Sequence, residues 1–169
     1  MPIAILNLVL SQMGCADVGN IMIADDGLTP VLMDFGSVVK GRKYIGTRQE
    51  ALELQDTAAE HSTMPYRAPE LFDVKTGSTI TEKVDVWSLG CTLFALLYGH
   101  SPFEPPNDSS LVGDSIALAV TQGTYKFPES TYSESVKEIV KRCLVVDPEQ
   151  RPSVREVRTF VEQVITGME

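Results

Sequence analysis

The sequence has no excess of basic residues. Its 169 residues include 14 lysines and arginines against 23 aspartates and glutamates, which gives a net charge of -9 at pH 7. A protein that binds nucleic acid needs a basic face to meet the phosphates, and no such face is visible in the sequence. The charge balance therefore argues against a nucleic-acid partner.

Cysteine is also scarce. Cys15, Cys91 and Cys143 make an odd count of 3 and lack the spacing of a zinc site. This pattern favours reduced thiols in an intracellular, cytoplasmic protein over a disulfide framework. Cys91 and Cys143 fall among apolar residues, so we expect them to be inert core side chains.

Long hydrophobic runs are missing as well. The apolar stretch 2–10 is too short to span a bilayer and has neither a basic flank nor a small-residue cleavage site. We expect it to be a buried segment of a soluble protein, and we predict no membrane segment in this chain. No repeat, low-complexity tract or linker divides the sequence, which fits one globular domain.

Two short apolar runs near the start predict a β-hairpin. They are 21–23 and 31–33, and Asp26-Gly27 between them is a typical turn pair. Thr47 followed by Glu50 has the spacing of a capping box, which predicts a helix inside residues 47–60.

The longest predicted helix is apolar on nearly every side, which indicates that it is buried all round. It covers 82–98, and Gly99 is placed to end it. Two further capping-box pairs predict later helices, beginning at Ser135 with Glu138 and at Ser153 with Glu156. The predicted fold class is mainly α with a small β-hairpin, as a helical bundle around a central buried helix.

Several short motifs follow one another in a fixed order. Asn20 precedes the hairpin and Asp34-Phe35-Gly36 follows it; Ala68-Pro69-Glu70, Asp85–Gly90 and Asp147–Pro152 come later. One tripeptide is weak evidence, but the whole order and spacing resemble a protein kinase, and specifically its C-terminal lobe. The resemblance implies an incomplete α+β kinase fold.

The resemblance covers part of the chain. It begins at about residue 19 and ends near residue 165, whereas residues 1–18 fit no kinase element and form a divergent segment. The stretches VLMDFGS, LELQDTAAE and YRAPELF are similar to the Numb-associated kinase group, and most closely to its small lipid-anchored, Golgi-associated branch. That group implies serine/threonine specificity and an extra helix in the activation segment. It implies Golgi or membrane association only for a full-length form.

The resemblance also assigns roles to individual residues. Asp34 and Asn20 would hold the two magnesium ions that bridge the ATP phosphates, because Mg²⁺ prefers oxygen ligands. Met22 would form an apolar floor under the adenine. A substrate loop would lie beside the catalytic site and contact the protein substrate, and it consists of Thr63, Met64, Pro65, Tyr66 and Arg67.

Three further residues receive structural roles from the resemblance. Glu70 and Arg151 would form a largely buried ion pair that ties the activation segment to the helical core. Asp85 would brace the catalytic loop through the backbone amides of that loop.

The residues that perform the chemistry in kinases are not in their places. Counting back from Asn20 puts Cys15 where the catalytic aspartate belongs and Asp17 where a phosphate-contacting lysine belongs. A cysteine thiol is mostly neutral at pH 7 and cannot do the work of that aspartate. The chain also contains no Gly-rich loop, strand lysine or partner glutamate, so we expect weak or no binding of ATP and Mg²⁺.

Three hypotheses follow from the sequence. The first is a serine/threonine protein kinase that phosphorylates proteins in its full-length form, with this chain a truncated and inactive version. The second is a non-catalytic binding module that docks kinase partners or substrates through its helical face. The third is a helical scaffold unrelated to kinases, which requires the motif order to be a coincidence.

Overall fold

In the computed structural model, which describes residues 18–33, 41–104 and 113–167, the protein is mostly helical and carries two short antiparallel two-stranded sheets, of which the first is a hairpin. The predicted fold class is confirmed. The second sheet is an addition that the sequence did not indicate.

The first hairpin joins β1, Ile21–Ile23, to β2, Pro30–Leu32. Its turn is held by the Asp26 carboxylate, whose Oδ1 accepts hydrogen bonds from the backbone N–H groups of Leu28 and Thr29, each at 2.8 Å. A further hydrogen bond from the Thr29 hydroxyl is the main reason that the pKa of Asp26 lies below its usual value. The predicted hairpin is thus confirmed, with its second strand starting one residue early.

The second sheet pairs β3, Arg42–Tyr44, with β4, Thr79–Thr81, in antiparallel register. All three residues of β3 are exposed, so the strand lacks the alternation of apolar and polar residues that marks a half-buried strand in a sequence. Its partner is distant in the chain, and no turn signal between them reveals the pairing.

The predicted helix after Thr47 is confirmed as α1, Arg48–His61. The Thr47 hydroxyl accepts a hydrogen bond from the backbone N–H of Glu50 at 3.2 Å. In return the Glu50 carboxylate accepts one from the backbone N–H of Thr47 at 2.9 Å. This reciprocal cap satisfies two N–H groups that have no partner within the helix, and its backbone hydrogen bonds lower the pKa of Glu50.

The central helix is α2, Lys83–Tyr98, and every residue from Val86 to Ala95 is buried. Gly99 ends it in the left-handed conformation, with φ at 81°, as expected for a C-terminal glycine. Within the helix, a Cβ atom added to Gly90 would lie 2.6 Å from the Cβ of Cys143. The glycine therefore permits a close approach of the helix that carries Cys143.

Three more helices pack around this core: α3, Gly113–Gln122, α4, Glu134–Cys143, and α5, Val154–Thr166. Helix α3 was not predicted. The predicted capping box at Ser153 is confirmed for α5. The predicted start of α4 at Ser135 is wrong, because the hydroxyl of Ser133 caps the helix instead.

The shifted start of α4 has a physical reason. With Ser133 as the cap, Glu134 enters the first turn, where a negative charge is favourable. Glu134 also pairs with Lys137 one turn later, at 2.9 Å. Ser135 becomes an ordinary first-turn residue.

The interior is aromatic and contains both described cysteines. Trp87 stacks on Phe103 with ring centroids 5.5 Å apart, and Phe94 lies at the centre of a group of rings. Cys91 and Cys143 are fully buried, and burial raises the pKa of Cys143 to about 12. The prediction of inert core cysteines is confirmed.

Among the described residues, no helix has the length and apolar character needed to cross a membrane.

Candidate functional site

The first hairpin has one face on the core and one face open to solvent. Leu32 is buried and Ile21 packs on the core, whereas Met22 is 53% exposed and stands opposite Val31, which is 41% exposed. Directly opposed residues of an antiparallel pair share a face, so Met22 and Val31 form one apolar surface. The predicted adenine floor is therefore an exposed apolar patch.

The same hairpin fixes the position of Asn20. This residue ends a short 3-10 turn, Val18–Asn20, that packs on α2, and its carbonyl oxygen accepts a hydrogen bond from the backbone N–H of Met33 at 2.8 Å. The two ends of the hairpin are thereby joined. Asp34 comes next in the sequence, and like Cys15 and Asp17 it lies outside the described residues.

The predicted substrate loop, Thr63–Arg67, also packs on α2. Thr63 is exposed and opens a 3-10 turn over Met64–Tyr66, which the backbone N–H of Tyr66 closes on the carbonyl of Thr63 at 2.9 Å. The third residue of the loop, Pro65, is buried. Helix α2 is therefore the shared support of this loop and of the turn at Asn20.

Two serines that the sequence analysis did not single out hold the loop in place. The hydroxyl of Ser88 donates to the carbonyl of Tyr66 at 2.9 Å, and the hydroxyl of Ser101 donates to the carbonyl of Pro65 at 3.4 Å. Both serines are buried. Their positions inside the DVWSLG and GHSPF stretches were the available signal, because a serine amid apolar residues needs a polar partner.

Arg67 ends the substrate loop but does not face solvent. Its side chain turns back toward the end of α1, and the residue is only 8% exposed. It therefore contacts the helix rather than an open surface.

Arg151 is a charged residue that is almost completely buried, with 1% of its surface exposed. Its guanidinium is bidentate on Glu70, with Nη1 and Nη2 each 2.9 Å from a carboxylate oxygen. The remaining N–H groups donate to three carbonyl oxygens, those of Lys83, Val145 and Val146, at 2.7 to 3.2 Å. All five N–H donors of the guanidinium are thus satisfied, and the pair joins the Ala68-Pro69-Glu70 turn to α2 and to the chain before α5.

Asp85 lies in the first turn of α2, where the helix dipole favours a negative charge. Burial nevertheless prevails: desolvation, helped by the nearby charge of Glu82, raises the pKa of Asp85 to about 6 from 3.8. A neutral carboxyl at this position can donate a hydrogen bond, whereas a carboxylate can only accept.

This raised pKa predicts a pH-dependent effect of Asp85→Asn. Between pH 3.8 and about 6 the folded chain binds more protons at this site than the unfolded chain, so wild-type stability falls as the pH rises through that window. Asparagine has no such titration. The variant should therefore gain stability relative to wild type as the pH rises. The difference between their free energies of unfolding should change by up to about 3 kcal/mol between pH 4 and pH 7. Urea unfolding at several pH values checks this, and a difference that is flat across the window would contradict it.

Comparisons with known proteins agree with the order of the motifs. Residues 18–161 match the sequence pattern of the protein kinase domain. The chain is 43% identical over 92% of its length to serine/threonine-protein kinase ppk13 of Schizosaccharomyces pombe and 38% identical over 87% to serine/threonine-protein kinase ENV7 of Saccharomyces cerevisiae. It is 42% identical over 80% of its length to serine/threonine-protein kinase 16 of Homo sapiens.

The matches cover only part of those proteins. The chain spans 45%, 40% and 43% of the three relatives, less than half of each.

Proposed function

Because this chain belongs to the protein kinase family, we propose that residues 19–165 are the C-terminal lobe of a serine/threonine protein kinase that phosphorylates proteins. Residues 1–18 are a divergent segment outside that lobe. The observation that carries the proposal is the anchoring of Thr63–Glu70. Ser88 and Ser101 fix its backbone to the core, and Arg151 fixes its end through Glu70. A kinase needs a rigid surface of this kind to position a substrate hydroxyl.

The hairpin supplies the nucleotide side of the proposed site. Met22 and its partner Val31 offer an apolar surface of the kind that covers a flat base. Asn20 offers an amide oxygen and Asp34 a carboxylate, a donor set that fits magnesium. When bound, ATP with magnesium supplies the phosphoryl group and neutralises the charge of its phosphates. The role of this chain is to hold the adenine base and the magnesium ion.

We further propose that these 169 residues do not transfer phosphate by themselves. Cys15 offers no carboxylate to orient the substrate hydroxyl, and the negative charge of Asp17 repels a γ-phosphate that a lysine would attract. Nucleotide binding to the exposed hairpin face alone is weak, because an open surface buries little of a ligand.

The finer family assignment is also part of the proposal. The Numb-associated kinase group, and its Golgi-associated branch, is supported by the stretches quoted above and by α1, which lies inside the segment between Asp34 and Ala68. The extra helix of that group's activation segment corresponds to α1. Membrane or Golgi association would belong to a full-length form.

A second candidate function is a binding module that docks a kinase or a substrate without catalysis. The exposed apolar residues of the hairpin favour it, since Met22, Ile23, Leu28, Val31 and Met33 are each at least 38% exposed. Apolar patches of this kind are frequent at protein interfaces.

The experiment that tests the first proposal uses a hybrid protein. The upstream half of an active serine/threonine kinase of this family, chosen to carry a Gly-rich loop and a His-Arg-Asp sequence, is joined to this chain at Gly19. We expect this hybrid to phosphorylate a protein substrate on serine or threonine, and we expect the 169-residue chain to transfer no phosphate.

The matched control is the same hybrid with Asp34→Ala, which should lose activity because the metal loses a carboxylate ligand. A folded hybrid without activity would overturn the proposal. Capture of a kinase by an inactive, folded 169-residue chain would instead support the binding module.

A further inference from the structure

Arg67 is buried at the end of the substrate loop and is turned away from it. We propose that Arg67 is a positioning residue that fixes the shape of the substrate loop by holding it to the C-terminal end of α1. The inference rests on the proposed function, because the loop matters only if it receives a substrate.

The guanidinium of Arg67 reaches three acceptors at the end of α1. Its Nε donates to the hydroxyl of Ser62 at 2.9 Å, and its Nη2 donates to the carbonyls of Ser62 at 3.1 Å and Ala59 at 3.4 Å. The last carbonyls of a helix have no partner within it and form the negative end of its dipole, so a cation is favourable there. Arg67 thus caps α1 from the last position of the loop.

A second attachment holds the other side of the same segment. The side-chain amide of Gln55 in α1 donates to the carbonyl of Phe72 and accepts from the backbone N–H of Val74, both at 3.2 Å. The Phe72 ring in turn lies under the Arg67 guanidinium, with 5.0 Å between the central carbon and the ring centroid. Gln55 and Arg67 therefore attach α1 to the chain on both sides of the Ala68-Pro69-Glu70 turn.

These contacts close the substrate loop at its base. The loop leaves α1 at Ser62, and the Arg67 side chain bonds back to the hydroxyl and the carbonyl of Ser62. Residues 63–66 are therefore enclosed between two ends that are held together. The three acceptors are met by two nitrogens, Nε and Nη2, of one planar arginine fork. A lysine ammonium on a flexible stem would engage them less completely. The shape of the loop that faces the substrate thus depends on a side chain that does not touch the substrate.

Two measurements on Arg67→Met test the proposal. In the 169-residue chain, hydrogen exchange of the amides from Ala59 to Tyr66 should accelerate about tenfold, while amides in α5 keep their rates. In the active hybrid described above, the KM for a peptide substrate should rise about tenfold and the KM for ATP should stay within about twofold. Arg67→Lys should give intermediate values in both measurements.

The matched control is Arg158→Met, which removes an exposed arginine from α5 and should leave both measurements at wild-type values. Unchanged exchange in Arg67→Met would overturn the proposal even if the hybrid proved inactive. Faster exchange with an unchanged peptide KM, or an equal rise of both KM values, would overturn it as well. An inactive hybrid by itself would contradict only the proposed function, since the exchange measurement does not depend on catalysis.

Discussion

Replacing Arg151 with methionine should lower the free energy of unfolding by about 3–5 kcal/mol, the cost of leaving a buried charge without its partner. The Arg151 side chain is fully buried and that of Glu70 is 13% exposed, so water can solvate the Glu70 carboxylate only in part when the guanidinium is removed. The three backbone carbonyls that Arg151 contacts would also lose a donor. Folded domains have a total stability of about 5–15 kcal/mol, so this loss is a large fraction of the whole.

The measurement is urea unfolding of the variant and of wild type, followed by circular dichroism. Arg158→Met is the matched control. It breaks the ion pair between Arg158 and Glu162, whose side chains are both more than half exposed. Exposed pairs of this kind contribute at most about 1 kcal/mol to stability.

A variant that fails to fold would agree with the prediction but would give no value. Glu70→Gln then supplies one, because it keeps the shape of the side chain and removes only its charge. We expect a smaller loss than for Arg151→Met, and a double variant that loses less than the sum of the two. A stability within about 0.5 kcal/mol of wild type for Arg151→Met would show that the buried pair contributes little.

The largest effect on activity should come from residues 13–18. A second hybrid, joined at Met13 instead of Gly19, keeps residues 13–18 of this chain, Cys15 and Asp17 among them, and is the same protein outside that stretch. We expect its kcat to be lower than that of the first hybrid by at least about 10³-fold. Losing a general base or a charge that stabilises the transferring phosphate costs roughly 10²–10⁴-fold each.

The two substitutions can be reversed one at a time. Cys15→Asp and Asp17→Lys should each restore little activity alone, and together they should restore most of it, because groups that act as a unit have non-additive effects. Phosphate incorporation into a protein substrate is the measurement. Equal activity of the two hybrids would mean that the substituted residues are not at the positions that the motif order assigns to them.

The sequence was informative where the structural signal is local. The first hairpin, the capping box at Thr47, the glycine that ends α2 and the cap at Ser153 each depend on a few neighbouring residues, and the structure has all of them. The start of α4 was misplaced because two serines close together can each cap a helix, and only packing and the Glu134–Lys137 pair distinguish them.

For the candidate site, too, the sequence predicted some contacts and missed others. The motif order named Glu70 and Arg151 although they are far apart in the chain, and in the structure they form a bidentate pair. It did not identify the partners that hold the substrate loop, because Ser88, Ser101 and Gln55 are common residue types that bond to backbone carbonyls and amides.

The sequence by itself therefore determined the family and the predominance of helix, and it predicted the positions at which catalytic groups are replaced. These depend on residue identity and spacing along the chain. Only the tertiary structure decided that Arg67 hydrogen-bonds to the end of α1, that β3 pairs with β4, and that Met22 faces solvent. Each of these depends on which segments distant in the chain come together, and burial and hydrogen bonding across such contacts leave no periodic signal in the sequence.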